Sequence, residues 1–305
     1  MATRITTPST ERARYYASAD GFNIKRPPVP AHVFLAERDR ALDAGSPTGL
    51  WPCDLGATLD LPYPATTPLI LARYARIRAG ETLTTRLAAS GEIHHAIAGG
   101  GETSCGGDRV AWEAGDTVVL PGGLAVTHRA GARDAVLWIV TDEPALAFAR
   151  ARPPAPGEAA VEIAHYPGDE VRRQLEAIHR LPPEKTTTGK AVTLSQRRLD
   201  GDRTCLPALT LAMNSLAPGE SQRAHRHNAV AVTLIVQGQG CHSVIAGHPV
   251  AWPPWATMIT PPGDSHSHHN EGGELALFFI VQDGGLHYHL RTMDFRYTPE
   301  YPSQR

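Results

Sequence analysis

A set of turn landmarks recurs along this chain at a nearly constant distance, and that repetition limits the possible folds more than any other feature. Gly80-Glu81 returns as Gly219-Glu220 and Gly99 returns as Gly238, both at an offset of 139. Pro121-Gly122-Gly123 returns as Pro261-Pro262-Gly263, at an offset of 140. A fixed offset across separate turns marks a duplicated unit. Short apolar runs lie between the landmarks, at 69–77, 93–98, 117–120 and 135–140 in the first copy. The second copy has them at 209–216, 230–237, Cys241–Ile245, Thr257–Thr260 and 275–281. Runs of this length bounded by Gly and Pro read as strands. With 28 Gly and 26 Pro in 305 residues, turns and short strands are favoured over long helices. The expected fold is all-β, a barrel or sandwich in each copy.

The remaining chain divides around the copies. Residues 1–68 read as a Pro-rich N-terminal arm with a short helix at 37–44. Residues 69–150 hold the first unit, and 151–204 a linker with helical spacing at 170–180 followed by a Thr-rich loop. Residues 205–305 hold the second unit and a C-terminal tail. A net charge of −2 leaves no electrostatic footprint for nucleic acid. The longest apolar runs, 229–236 and 275–281, are far short of a membrane span. The first residues lack the apolar core of a signal peptide. Four scattered cysteines, Cys53, Cys105, Cys205 and Cys241, read as free thiols. A cytoplasmic protein without membrane or nucleic-acid partners is expected.

The chemistry concentrates in the second copy. His225 and His227 flank one residue, so on a strand both imidazoles point to the same face. His266, from a later strand, is placed to complete a three-nitrogen face on one metal ion. The first copy carries Arg86, Ala88 and Val126 at the three corresponding positions, so no metal is expected there. His94 and His95 are adjacent and must face opposite sides of a strand. They, His128 and His269 read as structural or interface residues. Three imidazoles without a carboxylate leave the full dipositive charge on the metal, which suits a substrate arriving as a dianionic chelate. Such a set serves iron or zinc, and ligand type alone does not choose between them.

The landmarks around these histidines resemble the two motifs of the cupin superfamily, G-x5-H-x-H-x3-E-x6-G and G-x5-P-x-G-x2-H-x3-N. Gly219, His225, His227 and Gly238 match the first; Pro261, Gly263, His266 and Asn270 match the second. Two positions depart: Ala231 stands in place of the Glu, and Trp255 in place of the leading Gly of the second motif. The resemblance implies a bicupin, two double-stranded β-helix (jelly-roll) barrels in one chain with a few short helices.

Leu216-Ala217-Pro218-Gly219-Glu220, Ala224-His225-Arg226-His227, Val236-Gln237-Gly238-Gln239-Gly240 and the run His266-Ser267-His268-His269-Asn270-Glu271 resemble the gentisate 1,2-dioxygenase family, which includes salicylate and 1-hydroxy-2-naphthoate 1,2-dioxygenases. The likeness implies Fe(II) on His225, His227 and His266. It also implies O2 and an aromatic acid bearing an ortho hydroxyl as substrates. The bond cleaved would join the carboxyl-bearing and hydroxyl-bearing ring carbons. It implies a homo-oligomer, in the first instance a tetramer. His268 matches a second His that the family places beside substrate and oxygen, and is the expected catalytic residue. Family members carry an Arg for the substrate carboxylate where this chain has Thr233. The residues expected to contact the substrate are therefore Asn214, at the place of a family amide, Thr233 itself, and Arg223 and Gln237, which share inward parity. Other cupin chemistries (isomerase, lyase, thiol dioxygenase) and a non-enzymatic ligand-binding bicupin stand as alternatives.

Overall fold

The computed structural model describes residues 8–182 and 189–299. The Thr-rich loop read at 186–188 lies outside the described residues. Each copy of the repeat folds into a large sheet packed on a small one. In the first, the six-stranded sheet runs Ala164–Tyr166, Thr117–Pro121, Gly91–Ala98, Ala135–Thr141, Leu71–Ile77, Gly49–Pro52. Its four-stranded companion runs Thr82–Thr85, Val126–Ala130, Gly100–Cys105, Asp108–Glu113. In the second, the six-stranded sheet runs His32–Phe34, Thr257–Thr260, Ala231–Gln237, Ala276–Gln282, Thr210–Leu216, Lys190–Leu194. The five-stranded companion runs His248–Ala251, Cys241–Ile245, His266–Asn270, His225–His227, Phe295–Tyr297. All pairings are antiparallel.

The duplication is visible strand by strand. Leu71 and Thr210 open equivalent strands at the offset of 139, and Val126 and His266 do so at 140. Even the irregularities repeat. Ile97 is skipped in the pairing with Ala135–Thr141, and Val236 is skipped in the pairing with Ala276–Gln282. Each copy then closes with a helix, Glu143–Ala149 or Gly284–Leu290, capped by an arginine in the left-handed region, Arg150 or Arg291. The landmark glycines have a physical reason to recur. Gly80 and Gly219 sit at φ +73° and +76°, and Gly123 and Gly263 at +76° and +82°, where a Cβ is disfavoured. Trp255, standing where the motif has Gly, nevertheless keeps the left-handed turn, at φ 61°.

The large-sheet strands Ala135–Thr141 and Ala276–Gln282 are apolar on both faces because both are covered. Along Ala135–Thr141, the residues Ala135, Leu137 and Ile139 enter the core of the first barrel, while Val136, Trp138 and Val140 join a layer shared with the second barrel. Along Ala276–Gln282, Ala276 and Phe278 face the second barrel's core and Leu277, Phe279 and Val281 the shared layer. A hydrogen-bond chain crosses that layer. Trp138 Nε1 donates to Thr257 Oγ1 at 2.9 Å. The Thr257 hydroxyl is 2.7 Å from the Tyr74 hydroxyl, which donates to the Trp255 carbonyl at 2.6 Å. His95, on the face opposite His94, packs edge-on against Phe279 with centroids 4.6 Å apart.

The arm of residues 1–68 is partly woven into both barrels. His32–Phe34 extends the second barrel's large sheet through Thr257–Thr260, and Gly49–Pro52 extends the first through Leu71–Ile77. The helix expected at 37–44 spans Ala36–Leu42, and that expected at 170–180 spans Gly168–His179. The polar strand Gly100–Cys105 is absent from the apolar runs read in the sequence. Gly101 belongs to the ladder, and a Cβ there would meet the Arg129 carbonyl at 2.2 Å. All four cysteines are free and buried. Among the described residues no helix is long and apolar enough to cross a membrane.

Candidate metal centre and active site

The strand His225–His227 lies between His266–Asn270 and Phe295–Tyr297, and His225 pairs directly with His266. Strand alternation buries His225 and His227 and exposes Arg226. One ligand nitrogen from each of His225, His227 and His266 lies within 4.8 Å of the others. Each ring is oriented by a backbone carbonyl. His225 Nδ1 meets Arg223 O at 2.9 Å, His227 Nδ1 meets Ala229 O at 2.7 Å, and His266 Nδ1 meets Asp264 O at 2.9 Å. A carbonyl only accepts, so each Nδ1 carries the proton and each Nε2 offers its lone pair. The Gln282 amide approaches one of these lone pairs, at His227 Nε2, to 3.4 Å. Burial lowers all three pKa values, His225 to about 4, which keeps the rings neutral at physiological pH. Three neutral imidazoles with convergent lone pairs fit a divalent first-row metal.

The histidines line a cavity of about 210 Å³ inside the second barrel. Its other walls include Asn214, Gln222, Thr260, Ile280, Gln282 and Phe295. In the first barrel Glu92 and His94 are both buried, with His94 Nε2 2.9 Å from Glu92 Oε2. Their counterparts in the second copy, at the offset of 139, are Ala231 and Thr233. Both depart from the family pattern, and both are smaller than the side chains buried at those positions in the first barrel.

The sequence-derived site residues separate into two sets. His225, His227, His266, His268 and Asn214 all line the cavity. Arg223, Thr233 and Gln237 are outside the lining, for three reasons. The strand begins at His225, so its parity does not reach Arg223, which stacks on Tyr297 with its guanidinium 4.1 Å from the ring centre. Gln237 lies beyond the bulge at Val236, which breaks the alternation, and its amide reaches Glu274 at 3.3 Å. Thr233 is buried deeper in the sheet with its hydroxyl unpartnered. The sequence reading does not single out Gln222, Gln282 and Phe295. Gln282 pairs with both Thr210 and Ala231 at the ends of adjacent strands. Phe295 packs 5.3 Å from His225 and carries no motif signal.

His268 is held differently from the three convergent histidines. Its Nδ1 is 2.7 Å from Ser243 Oγ, and Ser243 Oγ accepts from Trp252 Nε1 at 2.7 Å. The ring is packed between Trp252 and Phe278, at 5.5 and 5.4 Å.

Two such barrels in one chain, one of them carrying a three-histidine centre, define a bicupin with a single candidate metal site among the described residues. Comparison with known proteins narrows this further. No family model matches the chain. Over 83 residues it is 34% identical to a gentisate 1,2-dioxygenase from Ralstonia sp, which covers 27% of this chain and 23% of the relative. Over 251 residues it is 23% identical to a 5-aminosalicylate 1,2-dioxygenase from Comamonas sp, covering 72% of this chain and 67% of the relative. The chain spans less than half the length of the first two curated relatives it matches, 23% and 42%. In fold it is similar to salicylate 1,2-dioxygenase from Pseudoaminobacter salicylatoxidans. A gentisate complex of one variant of that enzyme superposes with a TM-score of 0.74 at 15% identity, over 98% of both chains.

Proposed function

We propose that this chain is an Fe(II)-dependent dioxygenase that opens the ring of an aromatic acid carrying a carboxylate and an ortho hydroxyl, of the salicylate or gentisate type. The observation that carries this reading is the set of three neutral imidazoles, with no carboxylate among them, at a pocket of single-ring size. The donor set adds no negative charge, so a dianionic chelating substrate neutralises the site. His225, His227 and His266 would hold the iron through Nε2. Bound Fe(II) would supply a chelation point for carboxylate and hydroxyl and a path for electrons between substrate and O2. Asn214, Gln222 and Gln282 offer amides to the polar groups of the ring, and Ile280 and Phe295 offer apolar walls. His268 stands over the same cavity as a hydrogen-bonding group. Both atoms of O2 enter the product, a ring-opened 2-oxo acid, so no external reductant is required.

The test is iron content together with O2 uptake on salicylate, gentisate and 5-substituted salicylates. Bound iron and stoichiometric uptake with at least one of them are expected. A protein that takes up no iron and consumes no O2 with any ortho-hydroxy aromatic acid overturns the reading. The reading also includes a homo-oligomer, a tetramer by analogy. Tyr15, Tyr16, Phe22 and Ile24 support it, since they stand 92%, 72%, 89% and 73% exposed. Light scattering on the full chain tests it, and a monomer would refute it.

A further inference from the structure

Trp252, Ser243 and His268 form a buried hydrogen-bond relay, and its direction can be assigned atom by atom. The indole Nε1–H of Trp252 can only donate, so Ser243 Oγ accepts at 2.7 Å. Ser243 is fully buried, and its remaining bond runs to His268 Nδ1 at 2.7 Å. If Nδ1 carried a proton, Ser243 would accept twice and its own hydroxyl proton would have no acceptor. The arrangement that satisfies every group has Ser243 donating to Nδ1. The proton of the neutral ring then sits on Nε2.

The same relay stands in the other barrel, at the repeat offset. Trp112 Nε1 donates to Thr103 Oγ1 at 2.8 Å, and Thr103 Oγ1 lies 2.7 Å from His128 Nδ1. His128 is fully buried and its Nε2 has no partner. The relay is therefore kept in a barrel whose histidine is fully enclosed, with the hydroxyl supplied by Thr in place of Ser.

We propose that Trp252 and Ser243 are positioning residues that fix His268 as the Nε2–H tautomer, so that the cavity receives a hydrogen-bond donor beside three lone-pair-bearing imidazoles. The opposite tautomers follow from opposite partners: backbone carbonyls on His225, His227 and His266, and a donating hydroxyl on His268. A ring locked this way cannot compete as a fourth ligand through Nε2. It can donate to an anionic oxygen on the substrate or on the bound oxidant. This last consequence rests on the proposed dioxygenase reading; the tautomer assignment does not.

The experiment is nitrogen-15 NMR on the full chain labelled at histidine, metal-free and loaded with diamagnetic Zn(II), with O2 uptake measured in parallel on the iron-loaded form. In the wild type His268 should show a pyridine-like Nδ1 and a pyrrole-like Nε2. Ser243→Thr, which copies the first barrel, should keep that pattern and most of the turnover. Ser243→Ala should shift the tautomer toward Nδ1–H and lower kcat about tenfold while metal content holds. Trp252→Phe keeps the aromatic packing and should also mix the tautomers, which leaves a readable variant if Ser243→Ala does not fold. A wild-type ring protonated at Nδ1, or a Ser243→Ala or Trp252→Phe ring unchanged from wild type, overturns the proposal. Absence of O2 uptake with the expected NMR pattern would instead refute the dioxygenase reading and leave the tautomer assignment standing.

Discussion

Ala231 holds in the second barrel the position that Glu92 holds in the first, so a methyl lines a cavity where the other copy buries a carboxylate against a histidine. Glu92 is fully buried against His94; Ala231 lines a cavity of about 210 Å³. Restoring the acid should therefore undo the pocket. Ala231→Glu is expected to retain metal, because it adds an anionic donor beside the three imidazoles. It should lose turnover by about a hundredfold or more, an activation penalty of about 2.7 kcal/mol, since the new carboxylate occupies the substrate's place and charge. Metal analysis and O2 uptake on the same preparation check both halves.

Removing one ligand separates the two barrels' roles. His225→Ala should abolish stoichiometric metal binding, because two imidazoles without a carboxylate hold a divalent ion poorly. His128→Ala should leave metal content unchanged and lower stability by about 1–3 kcal/mol, through a cavity and the lost acceptor at Thr103. Metal loss in the second variant would contradict the assignment of the metal to the second barrel alone.

Buried ionisable groups in the first barrel contribute to the pH dependence of stability. Burial pushes His94 and His95 down to about 3 from the ordinary 6.5. The unfolded chain takes up protons first as pH falls, so their contribution is complete above about 6.5 and is lost progressively toward 3. Glu92 works in the opposite sense. Burial raises it to about 8 from 4.5, so the folded state keeps a proton that the unfolded state has released, and stability drains as pH rises through that window. Thermal midpoints of the full chain should pass through a maximum. Glu92→Gln should flatten the alkaline limb and leave the acid limb in place.

Thr257 joins the barrels through two side chains of the other copy, Trp138 and Tyr74. Thr257→Val keeps the shape and removes the hydroxyl, which leaves the Trp138 indole N–H buried without an acceptor. A loss of about 2 kcal/mol is expected, read as a lower denaturant midpoint with an unchanged slope. The transition should remain single, because the core layer that Thr257 borders draws on both copies. Two separated transitions would show that the barrels unfold independently.

Much of this is legible from spacing alone. A fixed offset exposes the duplication, and H-x-H with a later His exposes the metal set, because turns and ligands both tie function to sequence distance. Parity along one strand does not survive two local events, the late start of the strand at His225 and the bulge at Val236. Both Arg223 and Gln237 are placed inward by that parity and outward by the fold. Gln282 escapes notice because it enters the cavity from the last position of a strand that otherwise reads as purely apolar. The relay to His268 is hidden for another reason. Trp112 and Thr103 recur as Trp252 and Ser243 at the offset of 140, but Trp and a small hydroxyl carry no turn or ligand signal. Only their hydrogen bonds reveal that the recurrence has a use.

The shared layer between the large sheets changes what the first barrel is for. Every second residue of Ala135–Thr141 and of Ala276–Gln282 faces the other copy, so the barrel with the three histidines has no solvent-facing wall on that side. Its wall is the other barrel. The first copy, with none of the three histidines, still supplies that wall through one apolar face. Its surface at Tyr74, Trp138 and Val140 is therefore part of the second barrel's structure, and a change of shape there reaches the three histidines through Ala276–Gln282.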